Sequence, residues 1–210
     1  MDNIDYYKYI DRNSIETKIK KYLDDFYNNK ICKFLYIYGE TGIGKTNFLN
    51  NFLNKLDFTI IYCDNIDNKN KLLLDDIENK INKFNVYSMF FKNPKKNIII
   101  FDNIYNYNYG DKLFINSLIK IIKKKYKKNT NNVFSIIFVN NLSEDKKFLE
   151  LMKISEVIKI NTPNKTELLN ILKNSCPDLF KYDIKTNNII KNNILLYLNR
   201  KLYKLKNVFF

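Results

Sequence analysis

Residues 34–56 read FLYIYGETGIGKTNFLNNFLNKL. The opening FLYIY (34–38) is an unbroken apolar run of strand length, closed by Gly39, the signature of a strand buried on both faces. The next eight residues, GETGIGKT (39–46), match G-x-x-x-x-G-K-[ST]. From residue 45 onward Phe48, Leu49, Phe52, Leu53 and Leu56 recur at helical spacing. Strand, glycine-rich turn and helix in that order are the context in which this motif grips a phosphate. Glycines let consecutive backbone N–H groups turn inward around phosphate oxygens with no Cβ in the way. The helix starting near Lys45 aims its free N–H groups and positive dipole end at the same anion. Gly39, Glu40, Thr41, Gly42, Ile43, Gly44, Lys45 and Thr46 are therefore the candidate nucleotide-binding residues. Lys45 is expected to reach the β- and γ-phosphates, and Thr46 to offer its hydroxyl to Mg²⁺. Of the four glycines in 210 residues, three are Gly39, Gly42 and Gly44.

Outward from this stretch, apolar runs alternate with amphipathic segments. Strands are predicted at 58–62, 97–101, 133–139 and 157–160, and helices at 13–28, 70–83, 112–127 and 145–153. Asn13 with Glu16 three residues on has the form of a capping box. Such alternation implies right-handed crossovers and a mostly parallel sheet covered on both faces. It stops at Thr162–Pro163, where Thr can cap a helix and Pro fits the first turn. The expected organisation is an α/β nucleotide-binding domain over 1–161 and a small, truncated helical lid over 162–210.

Two strand ends carry polar residues. The run NIIIFDN (97–103) ends in Asp102, placed to hold Mg²⁺ through water, and continues with Asn103. The run ending at Asn140 and Asn141 is expected beside the 34–38 strand, where a polar tip can orient an attacking water.

The net charge of +14 invites a nucleic-acid partner, because Lys and Arg neutralise phosphates and release counterions. The lysines are spread along the whole chain, only two arginines occur (Arg12 and Arg200), and Asn, Ile, Tyr and Phe are also heavily used. These residues have A/T-rich codons, so the charge also has a genomic explanation, and both readings stand. There is no His, and Cys32, Cys63 and Cys176 are far apart, which excludes a Cys/His zinc site and disfavours a disulfide framework. No 18-residue apolar run and no signal peptide occur, so a soluble, intracellular protein with no membrane partner is expected.

The order of these features resembles the AAA+ ATPases: phosphate loop, Asp-ended strand, Asn-ended strand, helical lid. Within that superfamily the chain is most similar to the clamp loaders of DNA replication, especially the large subunit of replication factor C. The likeness is carried by IYCDNIDNKNKLLLDDI (61–77), NIIIFDNIYNYNYGDKLFINSLIKIIKK (97–124), SIIFVNN (135–141) and VIKINTPNKTELLNILK (157–173). It implies a three-layer P-loop NTPase fold, ATP and Mg²⁺ as cofactors, and neighbouring AAA+ subunits in a hetero-oligomer. It also implies DNA and a sliding clamp as partners, at the site of replication in nucleus or cytoplasm. Asn141 is the closer match to the family's sensing residue. Arg200, in YLNRKLYKL (197–205), matches the lid Arg that touches the γ-phosphate; one solvated charge on a basic helix is the alternative. Two departures stand out. Asn103 occupies the place of the family's catalytic Glu, and residues 142–156 hold no Arg for the finger that small subunits insert into a neighbour's site. The implied function is an ATPase of replication or repair with weakened hydrolysis. The alternatives are a non-hydrolysing, ATP-regulated interaction subunit, or another P-loop protein such as an initiator-type ATPase or a small-molecule kinase.

Overall fold

Along the central strands every second side chain points to the same layer, and that alternation builds the molecule. The structure, a computed structural model, describes residues 9–28, 33–63, 96–102, 134–141 and 146–175, with isolated helical positions at 116, 120, 189, 192–194 and 196. The elements are α1 (Asn13–Tyr27), β1 (Phe34–Gly39), α2 (Lys45–Lys55), β2 (Thr59–Cys63), β3 (Asn97–Asp102), β4 (Phe134–Asn141), α3 (Lys146–Lys153), β5 (Ser155–Lys159) and α4 (Lys165–Ser175). The strands form one parallel sheet in the order β2-β3-β4-β1-β5. This is the expected α/β P-loop architecture, with β4 central and β1 between it and β5. The predicted helices at 70–83 and 112–127 lie outside the described residues, apart from helical positions 116 and 120.

Leu35 and Ile37 of β1, Ile98 and Ile100 of β3, and Ile137 and Val139 of β4 face one layer. There they pack with Ile19, Leu23 and Phe26 of α1 and with Phe48, Leu49, Phe52 and Leu53 of α2. The alternate residues carry aromatic rings: Phe138 stacks on Phe101 at 5.4 Å and meets Phe34 edge-on at 5.9 Å. Burial on both faces explains why these strands read as continuous apolar runs. Full burial of each such side chain contributes roughly 1.5–3 kcal/mol. Tyr22 of α1 is fully buried, and its hydroxyl donates to the Lys33 carbonyl at 2.9 Å and shares a 2.9 Å hydrogen bond with Ser135 of β4. Burial pushes that phenol well above its usual pKa.

Three sequence expectations need correction. β5 begins at Ser155, not 157, because the Ser155 hydroxyl is satisfied by the Leu151 carbonyl at 2.6 Å and can enter the sheet opposite Phe34. The capping box of Asn13 and Glu16 does not form. Asn13 is the first helical residue and Arg12 holds the N-cap position, its carbonyl accepting from the N–H groups of Ile15 and Glu16 at 2.9 Å. The last correction concerns Thr162–Pro163: α4 starts at Lys165, and a reciprocal box forms at Asn164 instead. Asn164 Oδ1 accepts the Glu167 N–H at 2.8 Å, and Glu167 Oε2 accepts the Asn164 N–H at 2.7 Å, satisfying two otherwise orphaned donors.

Candidate functional site

The candidate residues gather where β1, β3 and β4 end, beside the start of α2. Gly42 and Gly44 adopt positive φ, 81° and 76°, a conformation costly for any residue with a Cβ. Gly44 is the N-cap of α2. Gly39 is needed for a different reason: a Cβ there would collide with the Ile160 carbonyl oxygen and press on the Ile43 side chain. Ile160 still donates to the Tyr38 carbonyl at 2.8 Å, so the sheet holds that close approach in place.

Lys45 is buried at the head of α2. Its ammonium donates to the carbonyls of Gly39 at 3.2 Å and Glu40 at 2.8 Å, and to Asn141 Oδ1 at 2.9 Å. Burial of the ammonium lowers its pKa to about 8; Asp102 acts against this shift, and the charge of Arg12 adds to it. Next to it, Thr46 Oγ1 donates to Asp102 Oδ2 at 2.7 Å. Loop, lysine, threonine, aspartate and Asn141 thus form a polar cluster over an apolar core.

The sheet register explains the choice between the two asparagines. Asn141 lies opposite Gly39, in step with Val139 and Ile137 on the α2 side. Asn140 falls on the other face, is fully buried, and donates to the Tyr36 hydroxyl at 3.0 Å. Of the remaining sequence candidates, Glu40, Thr41 and Ile43 lie in the loop, whereas Asn103 and Arg200 lie outside the described residues.

Arg12 is the residue that sequence reasoning missed. Its guanidinium is buried, donates to the Ile43 carbonyl at 2.6 Å and to the Gly44 carbonyl at 3.5 Å, and lies 4.9 Å from the centre of the Phe48 ring. The signal was available: Arg12 is one of two arginines among 36 basic residues, so a forked donor at this position is a departure from the chain's habit.

Among the described residues no three His, Cys, Asp or Glu side chains gather to hold a metal by themselves. The pair of oxygens on Thr46 and Asp102 suits Mg²⁺, which keeps several waters and is commonly held by one or two protein groups plus a ligand's phosphates. The inward-turned loop and buried lysine suit a polyphosphate. Among the described residues no helix is long and apolar enough to cross a membrane.

Similar architecture occurs in solved structures. A chain of the HORMA:CdnC:Trip13 complex from E. coli MS115-1 matches with a TM-score of 0.62 and 11% identity, over 91% of this chain and 77% of that one. PCH-2 from C. elegans matches with a TM-score of 0.56 and 12% identity, over 88% of this chain and 54% of its own. At such identities the likeness is one of fold. No curated protein matches the sequence. The family described as "ATPase family associated with various cellular activities (AAA)" matches residues 35–162, which span β1, the glycine-rich loop and every later strand, and the chain belongs to that family.

Proposed function

We propose that the chain binds ATP with Mg²⁺ at the loop 39–46 and acts as an ATP-gated subunit of a larger AAA+ assembly, with hydrolysis slowed by Asn103. The observation that carries this reading is that two hydrogen-bonded pairs, Lys45 with Asn141 and Thr46 with Asp102, meet at the head of α2 on the sheet's carboxyl edge. In this reading the backbone N–H groups of 42–46 and the Lys45 ammonium bind the phosphates. Thr46 and Asp102 hold the metal, whose charge offsets that of the phosphates. Asn141 keeps the lysine aimed and offers an amide to the attacking water. Asn103 can hydrogen-bond that water but cannot take its proton, and lack of a general base costs roughly 10²–10⁴ in rate. Arg200, if it reaches the γ-phosphate from the lid, adds a planar forked donor.

Two finer readings compete over what the assembly acts on. A clamp-loader-like role in replication or repair, with DNA and a sliding clamp, is supported by the sequence stretches 61–77, 97–124 and 157–173. A protein partner is supported by the neighbouring folds, one of which comes from a complex named for HORMA, CdnC and Trip13. Turnover stimulated by primed DNA favours the first, and turnover stimulated by a folded protein partner favours the second.

The test of the nucleotide reading is calorimetry and turnover on three proteins. Wild type should bind ATP·Mg²⁺ and hydrolyse it slowly. Lys45→Ala should lose ATP binding while remaining folded. Asn103→Glu should raise turnover at nearly unchanged affinity, because it restores a base beside Asp102 and leaves the binding groups in place. Equal affinity of wild type and Lys45→Ala would overturn the site. Fast wild-type turnover that does not rise in the Glu variant would remove Asn103 from its role.

A further inference from the structure

We propose that Arg12, at the start of α1, is a positioning residue for the phosphate loop: its guanidinium holds the Ile43 and Gly44 carbonyls so that the opposite ends of those peptide units present their N–H groups to a polyphosphate. The inference rests on the nucleotide reading above and adds a residue far from the motif in sequence.

The geometry supports it at each step. The Ile43 carbonyl shares a peptide unit with the Gly44 N–H, and the Gly44 carbonyl shares one with the Lys45 N–H. Arg12 donates to both carbonyls, at 2.6 Å and 3.5 Å, so these two peptide planes are gripped from the side opposite their N–H groups. A cation on a carbonyl polarises the whole amide and strengthens its N–H as a donor, more so where water is excluded. Arg12 is only 5% exposed. Gly44 most needs such a hold, since its backbone occupies the left-handed region, φ 76°, and its carbonyl also accepts the first helical bond of α2, from Phe48 at 3.0 Å. Arg suits the task where Lys does not, because a planar fork can span two carbonyls while its face lies against the Phe48 ring.

The backbone that carries Arg12 is itself tied down. The Asp11 N–H donates to Glu167 Oε1 at 3.0 Å, the carboxylate that also closes the capping box of α4. The Asp11 side chain accepts from the Asn13 N–H at 3.1 Å. Hydrogen bonds at either end of the Asp11–Arg12 backbone therefore connect the first turn of α4 to the loop.

The experiment measures affinities of ATP, ADP and AMP, each with Mg²⁺, for wild type, Arg12→Gln, Arg12→Lys and Lys45→Ala, alongside their melting temperatures. Gripped peptide planes serve the β-phosphate, so Arg12→Gln should weaken ATP and ADP by about tenfold, the equivalent of one charged hydrogen bond, and leave AMP nearly unchanged. Arg12→Lys should recover part of that loss. Equal weakening of all three nucleotides, tracking a lowered melting temperature in both Arg12 variants, would mean that Arg12 merely packs α1 against α2 and would overturn the proposal. So would unchanged ATP and ADP affinity in Arg12→Gln. Wild type that binds no nucleotide, or binds equally well as Lys45→Ala, would instead overturn the nucleotide site, and this proposal with it.

Discussion

The Lys45 ammonium is held by two carbonyls of its own loop and by Asn141, and burial lowers its pKa to about 8. The ordinary value is 10.5, so between about 8 and 10.5 the unfolded chain carries a proton here that the folded chain has lost. This residue therefore opposes folding fully below pH 8, and its penalty shrinks as pH rises through that window. Ligand binding has the opposite sign. Phosphate oxygens favour the charged ammonium, so in the proposed site ATP affinity should fall as pH rises through about 8. Binding at pH 8.5 should take up a proton that binding at pH 7 does not. Calorimetry in two buffers of different ionisation enthalpy checks this: the apparent enthalpies should diverge at pH 8.5 and nearly coincide at pH 7. Coincidence at both would mean that Lys45 is already protonated in the free protein throughout.

At the scale of elements, β4 places two identical side chains in opposite layers, and the pair offers an internal control. Asn141 sits on the α2 side with Lys45, whereas Asn140 is buried on the aromatic side against Tyr36. Asn141→Ala should reduce ATP turnover with little change in stability. Asn140→Ala should cost roughly 1 kcal/mol of stability, a typical net hydrogen bond, and leave turnover per folded molecule unchanged. A thermal melt and a turnover assay on both variants separate the two roles, and the reverse pattern would exclude Asn141 from the site. How legible this was follows from the same strand. An apolar run ending in two asparagines announces a strand with a polar tip, and β1 with its glycine-rich loop and α2 could be read almost to the residue. Which asparagine faces the lysine is a matter of parity in the register, fixed only when β4 pairs with β1. Helix starts were less legible, since in an Asn-rich chain many positions can act as caps. Asn164 won over Thr162 because Glu167 lies three residues on to complete the box. Arg12 escaped notice because its partners are backbone carbonyls some 31 residues away, and a carbonyl leaves no mark in a sequence.

At the scale of the whole molecule the open quantity is the +14 net charge. Charge placed by selection for DNA and charge placed by codon bias make different predictions, because the first must act together at one surface. If the lysines form a DNA-binding face, each phosphate they neutralise releases a counterion, and affinity should fall steeply and linearly in log salt with little dependence on base sequence. A protein making six to ten phosphate contacts loses about 10³–10⁵ in affinity between 50 and 200 mM salt. Fluorescence anisotropy with primed and fully duplex DNA of scrambled sequence, with ATP and Mg²⁺ present, measures this directly. A steep slope shared by all sequences, and a tighter complex with ATP than with ADP, would tie the charge to the nucleotide state and favour the clamp-loader-like reading. Lys45→Ala should then abolish the nucleotide dependence but keep the salt slope, since one buried lysine adds nothing to the surface field. No binding at 50 mM salt would leave the lysines as solvated surface whose abundance reflects codon usage. The search for what this AAA-family chain acts on would then turn to a folded protein partner.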